Sequence, residues 1–257
     1  MSEMKKGISV VLLTRNEERH VEACLKSCTF ADEIIVVDDG STDRTVAIAQ
    51  ACGARVFHRA LAGDWGAQKN FAIAQATQYW VYLIDADERV TPDLAQKIQE
   101  CTQHKEDRAY WVQRHNRFQH MRAEHGPMRP DWVCRLVPRA HVSVHGLVHE
   151  EVRSDCPADH IQGDGMIHYP YHDWDQYFRK FNMYTTLSAE KYNEQGKNVS
   201  FFGGVVVKPI WAFIKSYFFD KGFLDGRMGF VFASYNSFYT MTKYVKYHFV
   251  KNYNGEL

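Results

Sequence analysis

The chain has 257 residues, of which 45% are apolar and 24% charged, with a formal net charge of zero. That is room for one large domain, or a domain with an appendage, around a sizeable core. The charge is uneven: from Phe201 onward seven Lys and Arg stand against three Asp and Glu, so the tail carries +4 and the rest −4, with no nucleic-acid-binding motif on either side.

The opening MSEMKK runs straight into Ile8 to Leu13, an apolar β-branched run that reads as a first strand. No h-region with a small-residue cleavage site precedes it, so no signal peptide is expected. Thr14-Arg15-Asn16-Glu17 comes next, then helical spacing through Val21 and Leu25. Glu33 to Val37 is a second strand, ending at Asp38-Asp39-Gly40-Ser41-Thr42-Asp43. Ser41 or Thr42 is expected to cap the next helix, which stops near Gly53. Ala54 to Phe57 reads as a third strand, Asp64 to Ala67 as a glycine-containing loop, and Gln68 to Thr77 as a helix. The fourth strand starts at Val81. Strand and helix alternating over such short connections predict a parallel sheet with helices on both faces.

Beyond Ala109 the rhythm changes. Tyr110 to Val112, Trp132 to Val137 and His145 to Val152 read as strands, Arg114 to Pro130 as an irregular loop, and Asp173 to Asn193 as a long helix. The six cysteines include no C-x-x-C pair and form no disulfide framework, which fits reduced thiols in a cytoplasmic protein. Val199 to Phe219 is very apolar, but Gly203, Gly204, Lys208, Pro209 and Lys215 interrupt it. Trp211, Tyr217 and several Phe beside lysines suit an interfacial helix on an anionic membrane surface; a helical pair packed on the body is the plainer alternative.

The chemistry concentrates in Val81 to Val90, VYLIDADERV. Residues of a strand alternate faces, so Asp85 and Asp87 can point the same way at its end. Two carboxylates on one side repel unless a cation sits between them, and Mg²⁺ commonly takes one or two carboxylates plus phosphate oxygens. A solvated acidic turn before a helix capped by Thr91, with Pro92 at its first position, is the competing reading.

The ordered set ISVVLLTRNEE, EIIVVDDGSTDRT, GDWGAQKNFAI and VYLIDADERV resembles the family 2 glycosyltransferases, with a GT-A fold. HGLVHEEV and the tail GFLDGRMGFVFASYNSFYTMTKYVK resemble the subgroup containing bacterial lipopolysaccharide inner-core β-1,4-glucosyltransferases. The resemblance implies an α/β, Rossmann-like, mostly parallel sheet with flanking helices over residues 1–198 and a C-terminal helical, membrane-associating extension over 199–257. It implies a UDP-sugar donor, with glucose the expected sugar, and a lipid-linked saccharide acceptor such as the heptose of lipopolysaccharide core. It places the protein peripherally on the cytoplasmic face of the bacterial inner membrane.

By that resemblance Leu13, Thr14, Arg15, Asn16 and Glu17 line the nucleotide pocket, and Asp38 and Asp39 include a carboxylate that accepts from the uracil imide. Asp85 faces the ribose side, while Asp87 ligates Mg²⁺ or Mn²⁺. Lys69 is a candidate diphosphate or sugar contact, or an exposed helix lysine. Arg135 could neutralise phosphate, or form a surface salt bridge. An inverting transfer also needs one carboxylate base. Strand parity leaves Glu150 and Glu151 open; the resemblance favours Glu150. His168 or His172 could supply a further metal ligand, with His168 preferred.

Rival classes fit less well. The first strand ends in TRNEE and not in G-x-G-x-x-G, against a dinucleotide oxidoreductase. A nucleotidyltransferase would carry a Gly-rich basic loop there. His145 and His149 lack the H-E-x-x-H order of a zinc protease. A non-catalytic membrane-surface binding module on the same fold remains the alternative.

Overall fold

The computed structural model describes residues 6–104, 106–118, 121–146, 151–253 and 255. They fall into two compact units, residues 1–115 with 131–168, and residues 116–130 with 169–257.

In the first unit, β1 (Ile8–Thr14), β2 (Glu33–Asp38), β3 (Arg55–His58) and β4 (Trp80–Asp85) form the parallel half of the sheet, in the order β3-β2-β1-β4. Their apolar runs are nearly continuous because both faces are covered. Val10, Leu12, Val36, Tyr82 and Ile84 pack on α1 (Val21–Ser27), α2 (Thr45–Ala51) and α4 (Pro92–Cys101). Val11, Ile35, Val37, Val81 and Leu83 pack on the other side with Ala72 and Ile73 of α3 (Trp65–Gln75). Burying each such side chain contributes about 1.5–3 kcal/mol. The register sets Thr14 opposite Asp38 and Leu13 opposite Asp85, so the carboxyl ends of the strands share one edge. Ligands of open α/β sheets bind outside such an edge.

Beyond β4 the order is β8 (Asp131–Pro138), β6 (Ala109–Phe118), β11 (Ala158–His168) and β5 (Glu88–Val90). The pairs β4–β8, β8–β6 and β11–β5 are antiparallel. The chain thus leaves β4 at Asp85 and within three residues rejoins the sheet at its far end, where His168 pairs with Glu88. Thr91 caps α4 and Pro92 opens it, as expected.

Several expectations are corrected. Asp43, not Ser41 or Thr42, accepts from Thr45 N (2.9 Å) at the start of α2. Arg114 to Pro130 contains regular structure: β6 extends to Phe118 and pairs with β7 (Met121–Arg122). His145 to Val152 is not one strand. β9 (Val142–His145) and β10 (Glu151–Ser154) form an antiparallel hairpin with His145 opposite Glu151. Gly146, at φ 108°, supplies a backbone conformation that side chains disfavour.

The second unit is mainly helical. α5 (Trp174–Glu194), capped by Asp173, packs along α7 (Gly226–Tyr253), as does α6 (Lys208–Ile214). π-helical segments Gly203–Val207 and Lys215–Phe219 flank α6. α5 packs on α7, and the compact units divide near residue 168. No helix among the described residues is long and apolar enough to cross a membrane.

Candidate active site

The first cluster joins the ends of β1 and β2. Asn16 has φ 56°, a left-handed conformation that Asn tolerates better than most residues. Its side-chain oxygen accepts from Thr42 N (2.8 Å), and its backbone N donates to Ser41 Oγ (2.9 Å). Glu17 N donates to Thr45 Oγ1 (2.7 Å). Leu13 is half-buried, Thr14 buried and Arg15 exposed.

The two adjacent aspartates divide the labour. Asp38 is buried and builds the turn: Gly40 N and Ser41 N donate to Oδ2 at 3.0 and 2.9 Å, while the Ser41 hydroxyl donates to Oδ1. Asp39 lies closer to the surface, holding Arg15 through Oδ2 (2.9 Å) and accepting from Leu61 N through Oδ1 (2.7 Å).

The second cluster surrounds the end of β4. Asp85 stands 3.5 Å from Lys69 Nζ and 2.8 Å from an Arg135 guanidinium nitrogen, with its side chain 40% exposed. Loss of solvent at the strand end pushes the Asp85 carboxyl up, but Lys69 and Arg135 outweigh this and hold it well below the usual carboxylate range. Lys69 is buried on α3, which overturns its reading as an exposed helix lysine. Arg135 is also buried, so its pair is not a surface one. The same Arg135 nitrogen lies 2.5 Å from Glu88, which is fully buried and also has Arg114 at 3.5 Å. Burial raises the Glu88 carboxyl despite Arg135. Sequence reasoning misses Glu88 and Arg114. The available signal is a third carboxylate immediately after D-x-D, which needs a cation once buried.

The third cluster is Asp87 and His168, with Oδ2 and Nε2 at 3.5 Å. Neighbouring ligands of an octahedral ion bound at about 2.1 Å stand about 3 Å apart, so the pair fits a shared divalent cation with little movement. One carboxylate and one imidazole suit Mn²⁺; Mg²⁺ at the same place would draw its remaining ligands from oxygen. Glu150 and His149 lie outside the described residues. The hairpin leading to them is held by α3: Asn70 accepts from Val144 N (2.9 Å) and donates to Val144 O (2.7 Å), and Gly66 N donates to Gly146 O (3.2 Å).

A sequence family described as glycosyl transferase family 2 matches residues 9–150. An uncharacterized glycosyltransferase of Rickettsia conorii is 32% identical over 237 residues, 87% of this chain and 83% of that protein. The lipopolysaccharide core biosynthesis glycosyltransferase LpsC of Rhizobium meliloti is 28% identical over 262 residues, 96% of this chain and 95% of its own length. A solved glucosyl-3-phosphoglycerate synthase of Mycobacterium tuberculosis, in complex with Mn²⁺, UDP and phosphoglyceric acid, matches 52% of this chain and 56% of its own at 22% identity and a TM-score of 0.38.

Proposed function

This chain belongs to glycosyl transferase family 2 and is a glycosyltransferase, and on that premise we propose that it transfers a sugar, glucose by expectation, from a UDP-sugar to a lipid-linked saccharide with inversion at the anomeric carbon. The observation that carries this reading is the strand-end constellation: Asp85 held between Lys69 and Arg135, with Asp87 facing His168.

In this reading Asp39, which lies closer to the surface than the buried Asp38, accepts from the uracil imide. Lys69 offers a point charge to the diphosphate, and Asp85 orients the ribose side. Asp87 and His168 hold Mg²⁺ or Mn²⁺. The bound ion would stabilise the departing diphosphate and so replace a general acid. Glu150 takes the proton of the acceptor hydroxyl as its oxygen bonds to the anomeric carbon and the bond to diphosphate breaks. Arg135, paired with Asp85 and Glu88, holds the carboxylate end of this site in place.

The similarity to the lipopolysaccharide core biosynthesis glycosyltransferase of Rhizobium meliloti supports a lipopolysaccharide-core acceptor. Phe202, Ile210, Trp211, Phe218 and Phe219 are exposed beside Lys208 and Lys215, which supports peripheral attachment to an anionic membrane surface.

The test is calorimetric titration of UDP with Mn²⁺ and with EDTA, on the native protein and on Asp87→Asn. Metal-dependent binding that Asp87→Asn abolishes supports the assignment. Near-normal turnover of that variant would sink the metal role, and absence of UDP binding in both conditions would point to another nucleotide.

A further inference from the structure

The helical unit contains a cavity of about 490 Å³, within the roughly 300–1,000 Å³ range of ligand pockets. Four cations line it, Arg129, Lys208, Lys215 and Lys243, against the single carboxylate of Asp220. Asp220 is shared between Arg129 (3.0 Å) and Lys215 (2.7 Å). Lys208 and Lys243 have no ion-pair partner among the described residues. Lys208 donates to the Tyr244 hydroxyl (2.9 Å), and Lys243 lies 5.3 Å from the Tyr244 ring centroid. The charge of Lys243 is felt nearby: burial raises the Tyr192 phenol, but Lys243, joined by Lys197 outside the cavity, outweighs it and brings the net value below normal.

The rim has a second character. Trp211 lines the cavity yet is 54% exposed, with its ring 5.6 Å from that of exposed Phe219, and exposed Ile210 adjoins it in sequence. Uncompensated lysines inside an apolar, aromatic rim match an amphiphile with an anionic phosphate head and hydrocarbon behind it.

We propose that this cavity binds the phosphate headgroup of an anionic membrane phospholipid, with Lys208 and Lys243 as its phosphate ligands and Trp211 beside the acyl chains. The proposal deepens the membrane-attachment reading and rests on it. It differs in claiming one built headgroup site where that reading needs only a diffuse basic face.

The experiment is vesicle co-sedimentation of the full chain. Phosphatidylcholine vesicles are used plain, with phosphatidylglycerol, and with oleate at matched surface charge. The Lys208→Gln/Lys243→Gln variant is compared with Lys191→Gln/Lys251→Gln, an equal charge loss at exposed positions outside the cavity. Circular dichroism establishes that each variant is folded. A lysine at an anionic surface contributes about fivefold in affinity. The cavity variant is therefore expected to lose about 30-fold on phosphatidylglycerol vesicles and the control pair under about threefold. The native protein should prefer phosphatidylglycerol to oleate, and glycerophosphoglycerol should compete at matched ionic strength.

Equal losses in both variants, or equal binding to phosphatidylglycerol and oleate, overturn the headgroup site. Membrane attachment survives that result if Trp211→Ala releases the protein. Binding to no vesicle overturns both readings. Calorimetric binding of inorganic phosphate without vesicle binding identifies a soluble phosphate site and overturns the lipid assignment.

Discussion

A single guanidinium nitrogen of Arg135 stands 2.8 Å from Asp85 and 2.5 Å from Glu88, joining the half-exposed end of β4 to the buried start of β5. The two strands lie apart in the sheet order although only two residues separate them in sequence. The link is reinforced by Asp85 N, which donates to Glu88 Oε2 at 3.0 Å. Asp87, between them, is thereby presented at the edge where β11 delivers His168.

Arg135→Met should destabilise the protein by about 3–5 kcal/mol at neutral pH, because Glu88 is left as a buried charge without its main partner. Burial already raises the Glu88 carboxyl, and loss of Arg135 raises it further. A carboxyl with a raised folded-state value contributes stability that is full below the unfolded value of about 4.3 and is lost as pH rises through the folded value. Urea denaturation at mildly acid and neutral pH should therefore show a smaller deficit at acid pH. An equal deficit at both would mean that Glu88 is not the group exposed to the loss.

Lys69→Met removes one of the two cations holding Asp85 and the charge proposed for the diphosphate. A hydrogen bond to a charged group is worth about 1.5–3 kcal/mol, so kcat/KM for the donor should fall about 10- to 100-fold. Lys69→Arg should recover part of this. Steady-state kinetics and UDP calorimetry check the outcome, and unchanged donor affinity in Lys69→Met would reduce Lys69 to a structural partner of Asp85.

Thr91→Ala tests whether the proposed metal-binding pair, Asp87 and His168, depends on the strand pairing behind it. Thr91 Oγ1 accepts from Leu94 N (3.2 Å) and donates to Gly165 O (2.7 Å), three residues before His168. Loss of the cap should cost about 1 kcal/mol in thermal or urea unfolding. Mn²⁺-dependent UDP binding should weaken with it, but by less than in His168→Ala, which removes a proposed ligand. Equal Mn²⁺ titrations for His168→Ala and the native protein would exclude His168 from the metal.

Gly66→Ala should lower kcat while leaving UDP affinity near normal. A β-carbon at Gly66 would meet Gly146 O at 2.9 Å and Val144 O at 3.2 Å, both backbone atoms of the hairpin that leads to Glu150. Displacing the hairpin would misplace the proposed base without touching the donor contacts. Comparing kcat with the UDP dissociation constant separates the two effects.

The parallel half of the sheet is legible in the sequence because β1, β2 and β4 are buried on both faces and read as unbroken apolar runs. The glycosyltransferase motifs are carried at their ends. β11 is not legible in this way: Gly163 and Gly165, at φ 140° and 62°, break its pattern, and of its residues only Ile161, Gly165 and Met166 are buried. β5 is three residues long and its apolar content is a single Val90. The hairpin reads as one strand because glycine's positive φ at position 146 leaves no mark on the alternation around it. For the site, residue types are readable but pairings are not. Arg135 and Lys69 lie 50 and 16 residues from Asp85, and nothing local distinguishes a buried cation from an exposed one.

The π-helical segments set how this region tolerates changes in length. In each, a backbone N–H reaches back five residues: Lys208 N to Gly203 O, and Asp220 N to Lys215 O. Each such turn holds more residues than an α-helical turn. Deleting one residue there can tighten it to α-helix and keep the downstream residues in phase. The same deletion within α6 would rotate every later side chain by about 100°, turning the lysines and tryptophan onto different sides. Single-residue length variation in this stretch should therefore be absorbed at the π turns and rejected between them.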